Sequence, residues 1–210
     1  MRVLNTNSFK TGAIITLVLG ISVLACSFAV GKQALFLLLN TDLGRVADYF
    51  FAGATYLGDG AVWVPLLIWV LVKRRKELLP LLISSFALTT LLTQVCKYII
   101  VPHEARPTKA IADISLIHTV PGVELHTVSS FPSGHTATAF TIYLLLCLLI
   151  RQRAWVGIGL LYALAVAYSR VYLAQHFPLD LGAGMIVAFL SASGALLIQQ
   201  KIQAKKEAVS

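Results

Sequence analysis

The sequence predicts an all-α integral membrane protein: a six-helix bundle with a short interfacial helix between the first two spans. Three observations carry that expectation. Only 12% of the residues are charged while 58% are hydrophobic, and the mean hydropathy is +0.81. A soluble domain carries about 25% charged residues, and so few charges cannot clothe a surface in water. The apolar residues gather into six runs near the roughly 20 residues that a spanning helix needs. Basic residues collect between those runs, as in Lys73-Arg74-Arg75-Lys76. Despite a net charge of +8, that distribution fits membrane topology and excludes a nucleic-acid footprint.

The first span covers 12–31. Residues 32–54 follow, where the apolar stretch 34–39 and Tyr49-Phe50-Phe51 predict a helix lying along the interface. The second span, 55–72, holds Pro65 inside it and has Gly58 and Gly60 at its start, so its boundaries are the least sharp. The third is 78–99. A long stretch, 100–133, is expected to be non-helical before the fourth span, 134–150. The fifth, 154–174, is joined to the sixth, 178–199, by a turn at 175–177. Pro178 suits the first position of that last helix. No repeat or second domain interrupts the pattern, so residues 1–210 are expected to form one domain, with the functional motifs inside 97–180. Cys26, Cys96 and Cys147 fall in or beside apolar runs, with neither disulfide-framework nor zinc spacing.

Orientation follows from the lysines and arginines. A cytoplasmic N-terminus places Arg2, Lys10, the cluster at 73–76, Arg151, Arg153, Lys201, Lys205 and Lys206 inside, the larger part of the 17 basic residues. Both termini are then cytoplasmic. The loop 100–133 and the turn 175–177 share the outer side, where polar groups from separate loops can meet.

Three clusters put costly polar groups at those outer helix ends: Lys97 with Arg106-Pro107; Pro132-Ser133-Gly134-His135; and Ser169-Arg170 with His176 and Asp180. A helix start exposes unpaired N–H groups that favour an anion. Ser133 suits the cap, and Gly134 lets an anion approach the backbone. Read alone, the tetrapeptide is also an ordinary capped helix start with an interfacial histidine. An arginine near the end of a span is expensive and usually functional, as Arg170 would be. Asp180, in the first turn of the last helix, complements the helix dipole. Its carboxylate can equally reach back to one ring nitrogen of His176 and leave the other free to attack. Lys97, Arg106 and Arg170 add three cations on the same side, and guanidinium forks match phosphate oxygens.

Together these clusters resemble the type 2 phosphatidic acid phosphatase family: a lysine, a spacer and Arg-Pro; then Pro-Ser-Gly-His; then Ser-Arg, five residues, His, three residues, Asp. The second motif stands intact at 132–135 and the third runs from Ser169-Arg170 through His176 to Asp180 with the family spacing. The first departs, with eight residues between Lys97 and Arg106 where the strict pattern has six. The resemblance implies a metal-independent membrane lipid phosphatase without a cofactor. His176 would be the nucleophile that forms a phosphohistidine, Asp180 its orienting partner and His135 the general acid. Lys97, Arg106, Ser133, Gly134 and Arg170 would hold the phosphate.

The implied partners are the bilayer and a membrane lipid phosphate: undecaprenyl diphosphate, phosphatidylglycerol phosphate, phosphatidic acid or the phosphate of lipid A. The implied location is a bacterial inner membrane, with the site facing the periplasm or exterior. A phosphotransferase passing phosphate to a second lipid is the alternative. A non-enzymatic lipid transporter or scaffold fits less well, because both histidines are present. His103, His118 and His126 share the outer loop with Glu104, Asp113 and Glu124. Their spacing matches no metal-ligand motif and they read as polar loop residues.

Overall fold

A computed structural model describes residues 4–208, and every regular element among them is helical. Arg2, counted above with the inward basic residues, lies outside the described residues. The α-helices are α1 (Thr6–Val30), α2 (Lys32–Leu39), α3 (Arg45–Ala54), α4 (Trp63–Val72), α5 (Leu79–Val95), α6 (Pro107–Ala110), α7 (Gly134–Leu149), α8 (Ala154–Tyr172) and α9 (Pro178–Glu207). Four helical stretches are long and apolar enough to cross a bilayer: Thr6–Val30, Lys76–Ile100, Ala154–Tyr172 and Pro178–Glu207. The chain is a membrane protein.

The expected spans at 55–72 and 134–150 take other forms. The former is half of a broken pair, Arg45–Gly58 and Gly60–Val72, bent by 60°. Pro65 sits in the first turn of α4, where its missing N–H costs nothing, so the break falls at Gly58–Gly60 instead. The latter is α7, only 16 residues long and therefore about 24 Å. It packs against α1, α5, α8 and α9, and Phe140, Tyr143, Leu144 and Cys147 have no exposed surface. Thr89 on α5 and Thr141 on α7 join their hydroxyls across that interface at 3.1 Å. The outer helices carry the lipid-facing side chains, such as Ile14, Val18 and Phe28 of α1.

The single interfacial helix expected over 32–54 is two helices, α2 and α3, parted at 40–44. Gly44 has φ 84° there, a left-handed conformation that suits glycine. Asn40, 3% exposed, offers its side-chain amide to the carbonyls of Val171, Tyr172 and His118 at 2.9–3.1 Å, and its oxygen accepts from His118 N. That side chain ends α2 and fastens it to the last turn of α8. The loop 100–133 likewise contains α6 and a 3₁₀ turn, Ile114–Leu116.

Two polar clasps define the end opposite the motifs. Asn5 N donates to Leu148 O at 2.8 Å, joining the start of α1 to the end of α7. Gln199 of α9 accepts from Leu81 N and donates to Glu77 O at the start of α5. The end of α5, the start of α7, the end of α8 and the start of α9 consequently meet at the other end of the bundle.

Candidate active site

The turn between α8 and α9 is closed by Arg170 O, which accepts from Gln175 N at 2.8 Å and His176 N at 3.0 Å. Ala174 adopts φ 55° to make it. His176 is thereby held 1% exposed beneath the loops. Its Nδ1 lies 3.2 Å from Asp180 Oδ2. The same carboxylate oxygen accepts from Phe177 N at 3.0 Å and from the Ser130 hydroxyl at 2.5 Å. Asp180 therefore caps the start of α9 and also lies within hydrogen-bond distance of His176. A carboxylate accepting at Nδ1 fixes the proton there and leaves Nε2 with a free lone pair.

Three cations surround this histidine. Arg106, 7% exposed, donates from Nε to Val128 O at 2.9 Å and from Nη1 to Gln175 O and Oε1 at 3.0 and 3.2 Å. Arg170, 6% exposed, donates from Nη1 to the Thr55 hydroxyl, while its buried Nε has no partner among the described residues. Lys97 donates to Ser129 O at 3.1 Å. Its longer spacer to Arg106 is absorbed by a π-helical turn, Cys96–Ile100, and by His103 at φ 60°. Burial first, then the charges of Arg106, Arg170, Lys97 and His135, hold the His176 imidazole well below its ordinary basicity. The histidine stays neutral.

Ser133 caps α7 as expected: its oxygen accepts from Thr136 N at 3.4 Å and Oγ1 at 2.9 Å, and its own N–H donates to Asp180 O. The preceding Phe131–Pro132 peptide is cis. Packing does not demand glycine at 134, where an added Cβ would meet only Thr93 Cγ2 at 3.6 Å. Space over the helix start suits an anion. His135 follows, half-buried. Gly58 is wedged against it: a Cβ there would stand 2.4 Å from Val166 Cγ1 and 3.1 Å from both His135 Cβ and O. The break between α3 and α4 is thus part of the wall around His135. A cavity of about 550 Å³, lined by Asp59, Glu124, His126, Gln175 and Arg170 among others, reaches His135 from the loops.

All eight motif residues thus converge. Sequence reasoning gave no site role to Ser130, Gln175, Thr55 or Gly58, whose roles arise from loops and a helix break remote in sequence. Of the outer-loop histidines, His126 lines the cavity that reaches His135, while His118 belongs to a separate polar group. His118 Nε2 lies 3.2 Å from Asp48 Oδ1, which also accepts from the Tyr172 hydroxyl at 2.7 Å. With Asp42 these groups form a polar junction, their ligand-type atoms within 4.8 Å of one another.

Comparison with known proteins agrees with this geometry. The undecaprenyl-diphosphatase of Sulfolobus acidocaldarius is 30% identical over 162 residues, 75% of each chain. The lipid A 4'-phosphatase of Bacteroides thetaiotaomicron is 31% identical over 169 residues, covering 75% of this chain and 72% of the relative. The crystal structure of Aquifex aeolicus LpxE superposes with a TM-score of 0.68 at 32% identity, over 79% of this chain and 94% of that one. The sequence profile of the PAP2 superfamily matches residues 78–204, which contain every one of the converging motif residues, and the chain belongs to that superfamily.

Proposed function

We propose that this PAP2-type hydrolase removes phosphate from a lipid headgroup at the outer face of a bacterial inner membrane, through a phosphohistidine. The observation that carries the reading is a buried, neutral His176 with Nδ1 held by Asp180 and three cations around it. Nε2 attacks phosphorus and the bond to the lipid oxygen breaks. His135, protonated when a phosphate brings its negative charge among the cations, gives that oxygen its proton. Water then attacks phosphorus and yields a proton to His135. The P–N bond breaks, releasing inorganic phosphate and neutral His176.

Lys97, Arg106, Arg170, the Ser133 hydroxyl and the backbone at Gly134 hold the non-bridging oxygens. Charge stabilisation and positioning are what phosphoryl transfer chiefly requires, and this donor set supplies both without calling for a metal. The cavity that reaches His135 from the loops gives water a route, which favours hydrolysis over transfer to a second lipid. The cytoplasmic placement of both termini rests on the basic residues at the end opposite the site.

The test is phosphate release from lipid phosphates in mixed micelles. His176→Ala is expected to abolish turnover with its melting temperature kept, and His135→Ala, given p-nitrophenyl phosphate whose leaving group departs without a proton, to accumulate phosphorylated His176. Full activity of His176→Ala refutes the nucleophile. Vanadate is expected to inhibit as a transition-state mimic, and a chelator to have no effect; strong inhibition by the chelator refutes the metal-free mechanism.

A further inference from the structure

The surroundings of His135 bear on which lipid phosphate is cleaved. In an in-line displacement the leaving oxygen departs on the side of phosphorus opposite the attacking nitrogen. If His176 attacks and His135 is the acid, whatever is attached to the leaving oxygen lies beside His135. The cavities that touch this histidine include the loop-side one described above and one of about 200 Å³ between α5, α7 and the break at Gly58–Gly60. The large apolar groove of about 580 Å³ along Leu24, Phe28, Leu92 and Leu179 has neither histidine in its lining.

The smaller cavity mixes carbon with hydroxyl and amide groups, and His135 is its one titratable side chain. Thr90, Thr93, Gln94 and Thr138 line it. Thr93 is 7% exposed and its hydroxyl has no hydrogen-bond partner among the described residues. Gln94 is exposed on an apolar spanning helix and also makes no hydrogen bond within the described residues. Unpaired polar groups at membrane depth are costly and mark functional positions. In the loop-side cavity the charged groups are Asp59, Glu124 and Arg170. Arg170 belongs to the phosphate cluster. Beyond it, the side of His135 offers hydroxyls, amides and two carboxylates, and neither cavity lining holds a second cation.

The geometry points to a leaving-group subsite for a neutral, hydroxyl-bearing moiety, a sugar or glycerol unit of the lipid. A phosphate leaving group, as in a polyprenyl diphosphate, would have to share Arg170 with the phosphate under attack and would face the Asp59 carboxylate. This inference rests on the proposed lipid-phosphatase reading and narrows its substrate to a phosphomonoester. The P–O bond to the sugar or glycerol carbon's oxygen breaks, and that oxygen leaves as an alcohol carrying the proton from His135.

The test compares phosphate release by the purified full chain from lipid A, phosphatidylglycerol phosphate and undecaprenyl diphosphate in mixed micelles, with p-nitrophenyl phosphate as a small reference. Lipid A or phosphatidylglycerol phosphate is expected to exceed the diphosphate at least tenfold in kcat/KM. The double variant Thr93→Val with Gln94→Leu is expected to lose about tenfold on the preferred lipid, two hydrogen bonds' worth, and nothing on p-nitrophenyl phosphate. Thr93→Ser, which keeps the hydroxyl, is expected to retain activity on that lipid, and melting temperatures verify folding. Asp59→Asn is expected to raise turnover of the diphosphate. Equal or better wild-type turnover of the diphosphate overturns the neutral subsite and leaves the lipid-phosphatase reading standing. Release from p-nitrophenyl phosphate but from no lipid overturns both. Equal losses by the double variant on all substrates also overturn the subsite.

Discussion

Ser130→Ala tests the orientation of the nucleophile through a residue that touches no phosphate in the proposed mechanism. Asp180 Oδ2 accepts three donors: Ser130 Oγ at 2.5 Å, Phe177 N at 3.0 Å and His176 Nδ1 at 3.2 Å. The alanine removes the shortest of them. A hydrogen bond to a charged group contributes about 1.5–3 kcal/mol. If that loss falls on the transition state, where His176 gains positive charge against Asp180, it corresponds to a roughly 10- to 100-fold lower kcat. Ser130 also fixes the loop through its N–H to Glu104 O, a contact that alanine keeps. The expected signature is therefore a fall in kcat with KM and melting temperature nearly unchanged. The assay is phosphate release against lipid concentration in mixed micelles, with thermal melting on the same preparations. A kcat within twofold of wild type in a folded variant would refute the reasoning. Loss of KM and stability together would make Ser130 a scaffold residue only.

Acid pH acts on His176 in a defined direction. Its basicity is depressed by burial and cations, so the unfolded imidazole takes up a proton before the folded one does. The stability tied to it is full above about 6.5, the unperturbed value, and is lost as pH falls below; melting temperature against pH should show this, with a shallower acid slope in His176→Asn. Arg106→Gln removes one of the cations and should move the acid limb of kcat/KM upward. Gly58→Ala forces a methyl to 2.4 Å from Val166 Cγ1, and a β-branched neighbour yields poorly, so a loss of about 1–3 kcal/mol is expected. Val166→Ala in that background should restore the melting temperature, and kcat only in part because the contacts with His135 persist. Asn40→Ala leaves carbonyls at the end of α8 without their partner and should destabilise by about 2–3 kcal/mol, read as a lower melting temperature in detergent.

The motif residues were legible because each sits within a few positions of a helix end that apolar runs locate by themselves. Asp180 is the clearest case. Proline at 178 sets the helix start, and three residues of helix then bring the carboxylate back to His176. Lys97 followed the same logic despite its long spacer, since the end of α5 places it and the loop absorbs the rest. Ser130 was not legible: nothing local distinguishes it from Ser129, and its role depends on the loop passing the start of α9. The second span was blurred for a physical reason. Pro65 and the glycines at 58 and 60 both stood out, but Pro65 sits in a first turn where proline is tolerated, while the break falls at the glycines, where Val166 and His135 leave no room for a side chain at Gly58. The single interfacial helix failed at Asn40, whose side chain satisfies carbonyls more than a hundred residues away.

The cladding of α7 has a mechanical consequence. A lipid-facing helix must answer to the thickness of its bilayer by tilting or bending. The short rod that carries Ser133, Gly134 and His135 is sheathed by α1, α5, α8 and α9, so thinning or swelling of the membrane loads the sheath first. Its length is set by the proteinaceous neighbours it touches, and the distance between His135 and His176 is insulated from the solvent in which the enzyme floats. Activity in bilayers of graded acyl length should accordingly vary through access of the lipid, with the hydrolysis of a small soluble ester holding steady.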